Sequence, residues 1–418
     1  MKDSGIDWIG KIPDDWKINK IDSLYTLRNT KVSDKNYPPL SVTMKGIVPQ
    51  LATAAKSDDG DNRKLVKKGD FVINSRSDRR GSSGISNYDG SVSLINTILT
   101  PRGKMNPDYY NWLFHTVQFE DEFYKWGHGI VDDLWTTRWQ DMKNISVLVP
   151  PEEAQEKIAG FLDKKCSEID SVIEESKKSI EEYKAWKQSV IFEAVTGENL
   201  SCKKKNSGIE WLGEIPETWE VKRFKCIIDS LEKGNGITKD EVFSDGDTFC
   251  VRYGEIYSKY DTSFENCFSK TFKDKIPVKK YFSNGDLLFV GTGELVEEIG
   301  KCVAYLGNEQ CLSGGDIIIA KHKQNAKFLS YAMNSHYAQA QKSCGKAKLK
   351  VVHISATEIG NVLLALPPLS EQESIAKFLD KKCAQIDSLI SEKQSLIKDL
   401  AEYKKSLIFE VVTGKRRV

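Results

Sequence analysis

Two stretches of this 418-residue chain gather cations among small or alternating residues, and others approach a catalytic pattern without completing it. "NSRSDRRGSSG" (74–84) places Arg76, Arg79 and Arg80 among serines and glycines. A guanidinium is a planar fork that pairs bidentately with guanine or phosphate, and a loop of small residues brings backbone N–H groups close as well. "GKAKLKVVH" (345–353) alternates Lys346, Lys348 and Lys350, which on an extended segment project to one side. "VDDLWTTRW" (131–139) sets Trp135 and Arg138 before a short helix, a pattern that serves packing or recognition equally. A solvated surface loop is the competing explanation for each charged cluster. Lys45, Arg63, Ser75, Arg252, Lys259 and Thr292, in the same parts of the chain, complete the candidate nucleic-acid contacts.

The near misses exclude several activities. "GTGELV" (291–296) has Val296 where a dinucleotide fingerprint needs its third glycine, and "LVEEIGKC" (295–302) lacks both the opening glycine and the hydroxyl residue of a P-loop. No Asn-Pro-Pro-aromatic tetrapeptide, the element that holds a flipped adenine for methylation, occurs. "PDDWK" (13–17) has the carboxylates and lysine of a nuclease, but its duplicate "PETWE" (216–220) has glutamate in the lysine's place. Nine cysteines without a C-x-x-C and five histidines without ligand spacing give no metal pattern and suit a reducing cytosol. The chain is expected to be non-catalytic and metal-free.

The elements that position these residues are written twice. Phe161–Gly197 aligns without a gap on Phe378–Gly414, with 20 of 37 residues identical. Upstream, "SGIDWIGKIPDDWKINKI" (4–21) matches "SGIEWLGEIPETWEVKRF" (207–224) at eight of 18 positions. The intervening stretches show no such identity, so a duplication kept the frame and let the middles diverge.

The long repeat has helical periodicity. Leu162, Cys166, Ile169, Ile173, Ser176, Ile180, Tyr183, Lys187, Val190 and Ala194 recur at alternating steps of four and three. Leu379, Cys383, Ile386, Ile390, Lys393, Ile397, Leu400, Lys404, Leu407 and Val411 repeat the pattern. This is a heptad seam that buries one helix against another. Prolines in "PPEEAQ" and "PPLSEQ" start each helix and "VTG" stops it. The twin helix is the expected partner, antiparallel so that the two heads stay apart about a pseudo-twofold axis. Docking of each helix on its own domain, or dimerisation, would also bury the stripe.

The middles read as α+β domains. Strands are expected at 69–76, 92–100, 144–150, 285–291, 315–321 and 360–367, helices at 107–126 and 326–344, and an exposed linker at 201–208. The formal charge of +1 conceals an asymmetry: the two helical repeats carry −4 and −1, leaving +6 on the rest. That sign suits a phosphate-bearing partner. No run of 18 apolar residues occurs and "MKDSGIDWIG" lacks an apolar signal core, so a cytoplasmic protein is expected.

Taken together, the doubled "SGI(D/E)W(I/L)G(K/E)IP..W", the "GD" strand, "PP..EQ..IA.FLDKK...ID" and "SLIFE.VTG" resemble the specificity subunit of Type I restriction–modification enzymes, over essentially the whole chain. The first copy departs from the pattern with Ala154 where the second has Glu371. The resemblance implies target recognition domains at 1–150 and, with a linker, 201–366, and conserved helical spacers at 151–200 and 367–418 that form an antiparallel coiled coil. It also implies that each domain reads one half of an asymmetric, bipartite sequence in double-stranded DNA. The helices would set the spacing and dock two methyltransferase subunits, with two motor–nuclease subunits joining the full complex. S-adenosylmethionine, ATP and magnesium would be bound by those partners and by none of this chain. Lys164, Lys165, Lys381 and Lys382, shared by both copies, are candidates for partner contact, or else inherited solvated residues.

Overall fold

The computed structural model describes residues 1–53, 60–129, 135–234, 236–346 and 351–418. The chain divides into two compact units, Met1–Lys177 with Gln394–Val418, and Lys178–Lys393. Each unit therefore owns one α+β domain and one half of each long helix.

In the first unit, β1 (Tyr25–Arg28), β2 (Phe71–Asn74), β3 (Ser83–Ile85) and β4 (Asn96–Pro101) form an antiparallel sheet in the order β3-β2-β4-β1. Helices α1 (Pro107–Phe114) and α2 (Val117–Lys125) cover it. The single helix expected over 107–126 is broken, because the Thr116 side chain accepts the Phe119 amide and caps a new helix. Tyr25, Phe71, Tyr110, Phe114 and Phe119 are almost fully buried and meet edge-on or tilted at 5.0–6.4 Å or closer.

The long helix α3 (Glu152–Thr196) starts where expected. In the second unit β5 (Ile228–Lys233), β6 (Ser263–Phe264), β7 (Leu287–Val290), β8 (Cys302–Tyr305) and β9 (Ile317–His322) lie in the order β5-β9-β7-β8-β6. Helices α4 (Ala326–Asn334) and α5 (His336–Ser343) follow, with the expected 326–344 helix broken at Ser335. The second long helix, α6, spans Leu369–Val412. The stretch expected as a plain linker contains a short strand, Lys204–Asn206, paired with Glu214–Pro216.

Both "GD" motifs are turns. The Asp70 carboxylate accepts the Lys67 amide at 2.8 Å and the Asp286 carboxylate accepts the Ser283 amide at 2.8 Å, closing the bend that feeds β2 and β7.

The heptad seam is real in both units. In the first, Leu162, Cys166 and Ile169 of α3 share one core with Leu407, Val411 and Val412 of α6 and with the aromatic layer. In the second, Ile191, Ala194 and Val195 share a core with Ala376, Leu379 and Cys383. The start of one helix meets the end of the other both times, so the pairing is antiparallel. Each helix docks on its domain as well as on its twin.

Two polar seam positions bring ion pairs related by the repeat. Lys187 Nζ donates to both oxygens of Asp387 at 2.8–2.9 Å, and Lys404 Nζ to both oxygens of Asp170 at 2.6–2.7 Å. Burial is the largest influence and works against the Lys187 charge, but the hydrogen bond to Asp387 and the nearby Asp261 and Asp387 charges together outweigh it and raise the pKa.

The Pro-Pro-x-x-x-Gln signature is a latch. Gln155 Nε2 donates to the Pro150 carbonyl at 2.8 Å, and its Oε1 accepts the Asn106 amide at 2.9 Å. Gln372 repeats this with Pro367 at 2.9 Å and Asn325 at 3.0 Å. Asn106 and Asn325 are the N-caps of α1 and α4, so each glutamine ties the root of a long helix to the helix that backs the sheet. "VTG" ends each rod against the opening motif of a domain. A Cβ on Gly414 would lie 2.6 Å from Pro13 Cγ and 2.9 Å from Trp16 Cη2, and one on Gly197 would lie 3.3 Å from Trp219 Cη2. Both glycines are left-handed, at φ +68° and +74°.

Candidate nucleic-acid interface

In both domains the central strand that carries "GD" emerges into a backbone clamp. Past β2, the Ser75 amide donates to the Ile95 carbonyl at 3.3 Å and its carbonyl accepts the Thr137 amide at 2.9 Å. Past β7, the Gly291 amide donates to Asp316 at 2.7 Å and its carbonyl accepts the Ile354 amide at 2.9 Å. The next residues then pair across the same antiparallel bridge, Arg76 with Thr136 in one domain and Thr292 with His353 in the other. One scaffold position therefore displays different side chains twice.

Beside each clamp lies a groove. The first, about 700 Å³, is lined by the hairpin strand Leu40–Thr43, by Ser93, Ile95 and Asn96 ahead of β4, and by Arg63, Arg79 and Arg80. The second, about 710 Å³, is lined by Arg252, Tyr253 and Lys259 and by Gly314, Gly315 and Asp316 ahead of β9. The segment before the last strand of the sheet forms one wall in both.

The expected contact residues fall into two groups. Exposed ones are Lys45, at the tip of the 40–49 hairpin beside Met44 (73% exposed), together with Arg79, Arg80, Arg138 and Lys259. Arg76 is partly exposed. Asp78 lies 3.2 Å from Arg76 Nε and 3.7 Å from Arg79 Nε, and orients both. Arg80 pairs with Asp121 and lies 5.3 Å over the Tyr124 ring. Lys259 lies 5.5 Å over Phe268. The others are engaged inside the domains. Arg63 is buried, its Nε donating to Ser91 Oγ at 2.9 Å, and Ser75 Oγ bonds Thr97 at 3.0 Å. Trp135 is half-buried, with its carbonyl accepting from the Ser77 amide. Lys346 donates to the His353 carbonyl and to Glu358, both at 2.7 Å. Burial works against the Glu358 charge, but its hydrogen bonds to Lys346 and Ser355 hold the carboxyl down at about 2. Arg252 lies 3.9 Å from Glu255 and has a buried, unpartnered Nε. Thr292 Oγ1 is 3.1 Å from His353 Nδ1. Lys348 and Lys350 lie outside the described residues.

Sequence reasoning passed over His353, the last residue of the cluster it quoted. The signal was present: Thr136 and His353 are separated by 217 residues, the same offset as the long repeat.

On the rods, Lys164, Lys165 and Lys381 are exposed and Lys382 is half-exposed; Lys165 donates to Glu168 at 2.7 Å. Val172 and Trp186 of α3 and their repeat equivalents Leu389 and Tyr403 of α6 are also exposed, at 42, 45, 37 and 46%. Each precedes a seam residue by one position, the g site of the heptad, where a simple two-helix coil carries charge.

The duplicated frame thus holds a groove at one scaffold position twice, with unlike linings. Among the described residues no group of three or more His, Cys, Asp or Glu is placed to hold a metal, and no helix is long and apolar enough to cross a membrane. The Type I restriction modification DNA specificity domain matches residues 13–182 and 216–399, and the chain belongs to that family. Its role is a non-catalytic one, giving DNA specificity within a Type I restriction–modification complex.

Relatives cover nearly the full length. The Type I restriction enzyme MjaVIII specificity subunit of Methanocaldococcus jannaschii is 24% identical over 98% of this chain and 94% of its own. The putative MjaX specificity subunit of the same organism is 24% identical over 98% and 96%. A chain from a structural study of complex assembly and conformational transition of the type I R-M system shares the fold at a TM-score of 0.75, 15% identity, and coverage of 97% and 100%. The HsdS subunit from Thermoanaerobacter tengcongensis shares it at 0.57 and 15%, covering 100% of both chains.

Proposed function

We propose that this chain reads an asymmetric, two-part DNA sequence, one half with each domain, and directs adenine methylation there by subunits docked on its helices. The observation that carries the reading is the doubled clamp: Arg76 with Thr136 and Thr292 with His353 occupy one scaffold position with different chemistry. Identical readers would call for a palindrome, whereas unlike ones read unlike halves. The helix seam would fix the number of unread bases between them.

The exposed g-site residues support partner docking. Val172 and Tyr403 in the first unit are repeated as Leu389 and Trp186 in the second, so one kind of partner meets two equivalent apolar surfaces. Two methyltransferase subunits per chain follow, with Lys164, Lys165, Lys381 and Lys382 alongside as charged contacts. Two motor–nuclease subunits would complete the cleaving complex. S-adenosylmethionine, ATP and magnesium belong to those partners in this reading, and the complex works in the cytoplasm.

Mapping N6-methyladenine across the host genome, with and without this gene, tests the proposal. A motif of two different half-sites separated by unspecified bases should disappear with the gene. A palindromic or uninterrupted motif would overturn the reading. Native mass spectrometry of the methylating complex should give two methyltransferase subunits to one chain, and a one-to-one complex would refute the docking argument.

A further inference from the structure

We propose that His353, oriented by Thr292, is a specificity-determining residue of the second domain and reads the N7 edge of a purine; this rests on the DNA-recognition reading above. His353 stands where Thr136 stands in the first domain, across the bridge from Thr292 in place of Arg76. Its backbone is fixed from three sides. The Thr292–His353 ladder holds one, the Ile354 amide anchors to Gly291 at 2.9 Å, and Lys346 Nζ donates to the His353 carbonyl at 2.7 Å. Lys346 is held in turn by Glu358, at 2.7 Å, and Glu358 closes a capping box with Ser355.

This pinned backbone carries an exposed imidazole. Nδ1 lies 3.1 Å from the Thr292 hydroxyl, which fixes the plane of the ring. In the proposed tautomer the hydroxyl donates to Nδ1 and the ring proton is on Nε2, so that the outward atom is a donor. In a major groove the acceptors open to a single N–H donor are guanine N7 and O6, adenine N7 and thymine O4, and of these N7 is the one that both purines present. Lys346 does not compete for this task, since its ammonium is already engaged by the His353 carbonyl and Glu358. The arrangement is a fixed donor on rigid backbone, which is what discrimination between base edges needs.

The test uses the full chain with its partner subunits in cells lacking other modification systems. Methylated sites are mapped for wild type, His353→Ala, His353→Gln and Arg76→Ala, and each purified chain is melted to confirm folding. His353→Ala should accept any base at one position of one half-site where wild type demands a purine, with discrimination there falling roughly tenfold. The other half-site should be unchanged, and His353→Gln, which keeps an N–H donor, should restore part of the preference. A folded His353→Ala chain with the wild-type motif in both halves would overturn the assignment. If wild-type complex binds random duplex without any salt dependence, the DNA-reading proposal itself fails, whatever His353 does.

Discussion

Replacing Gln372 by leucine should destabilise the second domain by about 1–5 kcal/mol. Gln372 is fully buried and its amide makes three hydrogen bonds, to the Pro367 carbonyl at 2.9 Å, to Gln324 Oε1 at 2.8 Å and from the Asn325 amide at 3.0 Å. Leucine fills similar space but leaves the Asn325 N–H and the Pro367 C=O without this partner, each costing about 1–3 kcal/mol, and takes from Gln324 Oε1 a bond that has no counterpart at Gln155. Its extra apolar burial returns roughly 1 kcal/mol. Against a domain stability of about 5–15 kcal/mol, the loss is large enough to measure directly. Urea unfolding of the purified chain, followed by circular dichroism and by tryptophan emission, gives the midpoint and slope. Gln155→Leu, which removes two such bonds, should show the smaller loss. Exposed Glu373→Ala in the same turn should match wild type. A Gln372→Leu midpoint within about 0.5 kcal/mol of wild type would refute the latch, because an unpaired buried amide cannot be that cheap.

Four further outcomes are expected. Arg76→Ala with Arg79→Ala should weaken or alter methylation at one half-site while the melting curve holds; unchanged genomic modification would remove this loop from the recognition surface. Four residues inserted into one long helix add about 6 Å, and methylome mapping should show a changed spacing between half-sites. Ile169→Asp places a carboxylate in a site only 8% exposed, in the core shared by α3 and α6, and should cost several kcal/mol in a denaturation experiment. Lys342 is buried, which lowers its pKa to about 8, against about 10.4 in an unfolded chain. The unfolded chain then binds more protons between those values, so stability should rise by about 3 kcal/mol as pH rises through that window, order of magnitude only. Lys342→Met should abolish the rise in urea midpoint between pH 8 and pH 10.

The frame was legible because it is written in local rules. Heptad spacing gave both rods, proline and glycine gave their ends, and a run such as "GDLLFVG" gave the central strand of a sheet. What stayed hidden depended on single side chains that bond their own neighbourhood. Thr116 interrupts an amphipathic run that otherwise reads as continuous, because its hydroxyl accepts an amide three residues on. The site was harder still. Arg63 and Lys346 carry the charge that DNA calls for, yet they bond Ser91, Glu358 and the His353 carbonyl, and composition does not distinguish an inward cation from an outward one. The repeat offset marks the position of His353, but its partner Thr292, 61 residues earlier, is brought opposite it only by strand pairing.

The seating of Gly414 on Pro13 and Trp16 has an evolutionary corollary. The first unit closes with the two loose tails of the polypeptide, through the same joint that the second unit makes at Gly197 with its strand unbroken. The same joint is thus made twice, once between segments remote in sequence and once between near neighbours. A gene encoding just one head and one rod holds every part of that joint. Two such products can close it reciprocally, and under the proposed reading a pair of identical heads would call for a palindrome.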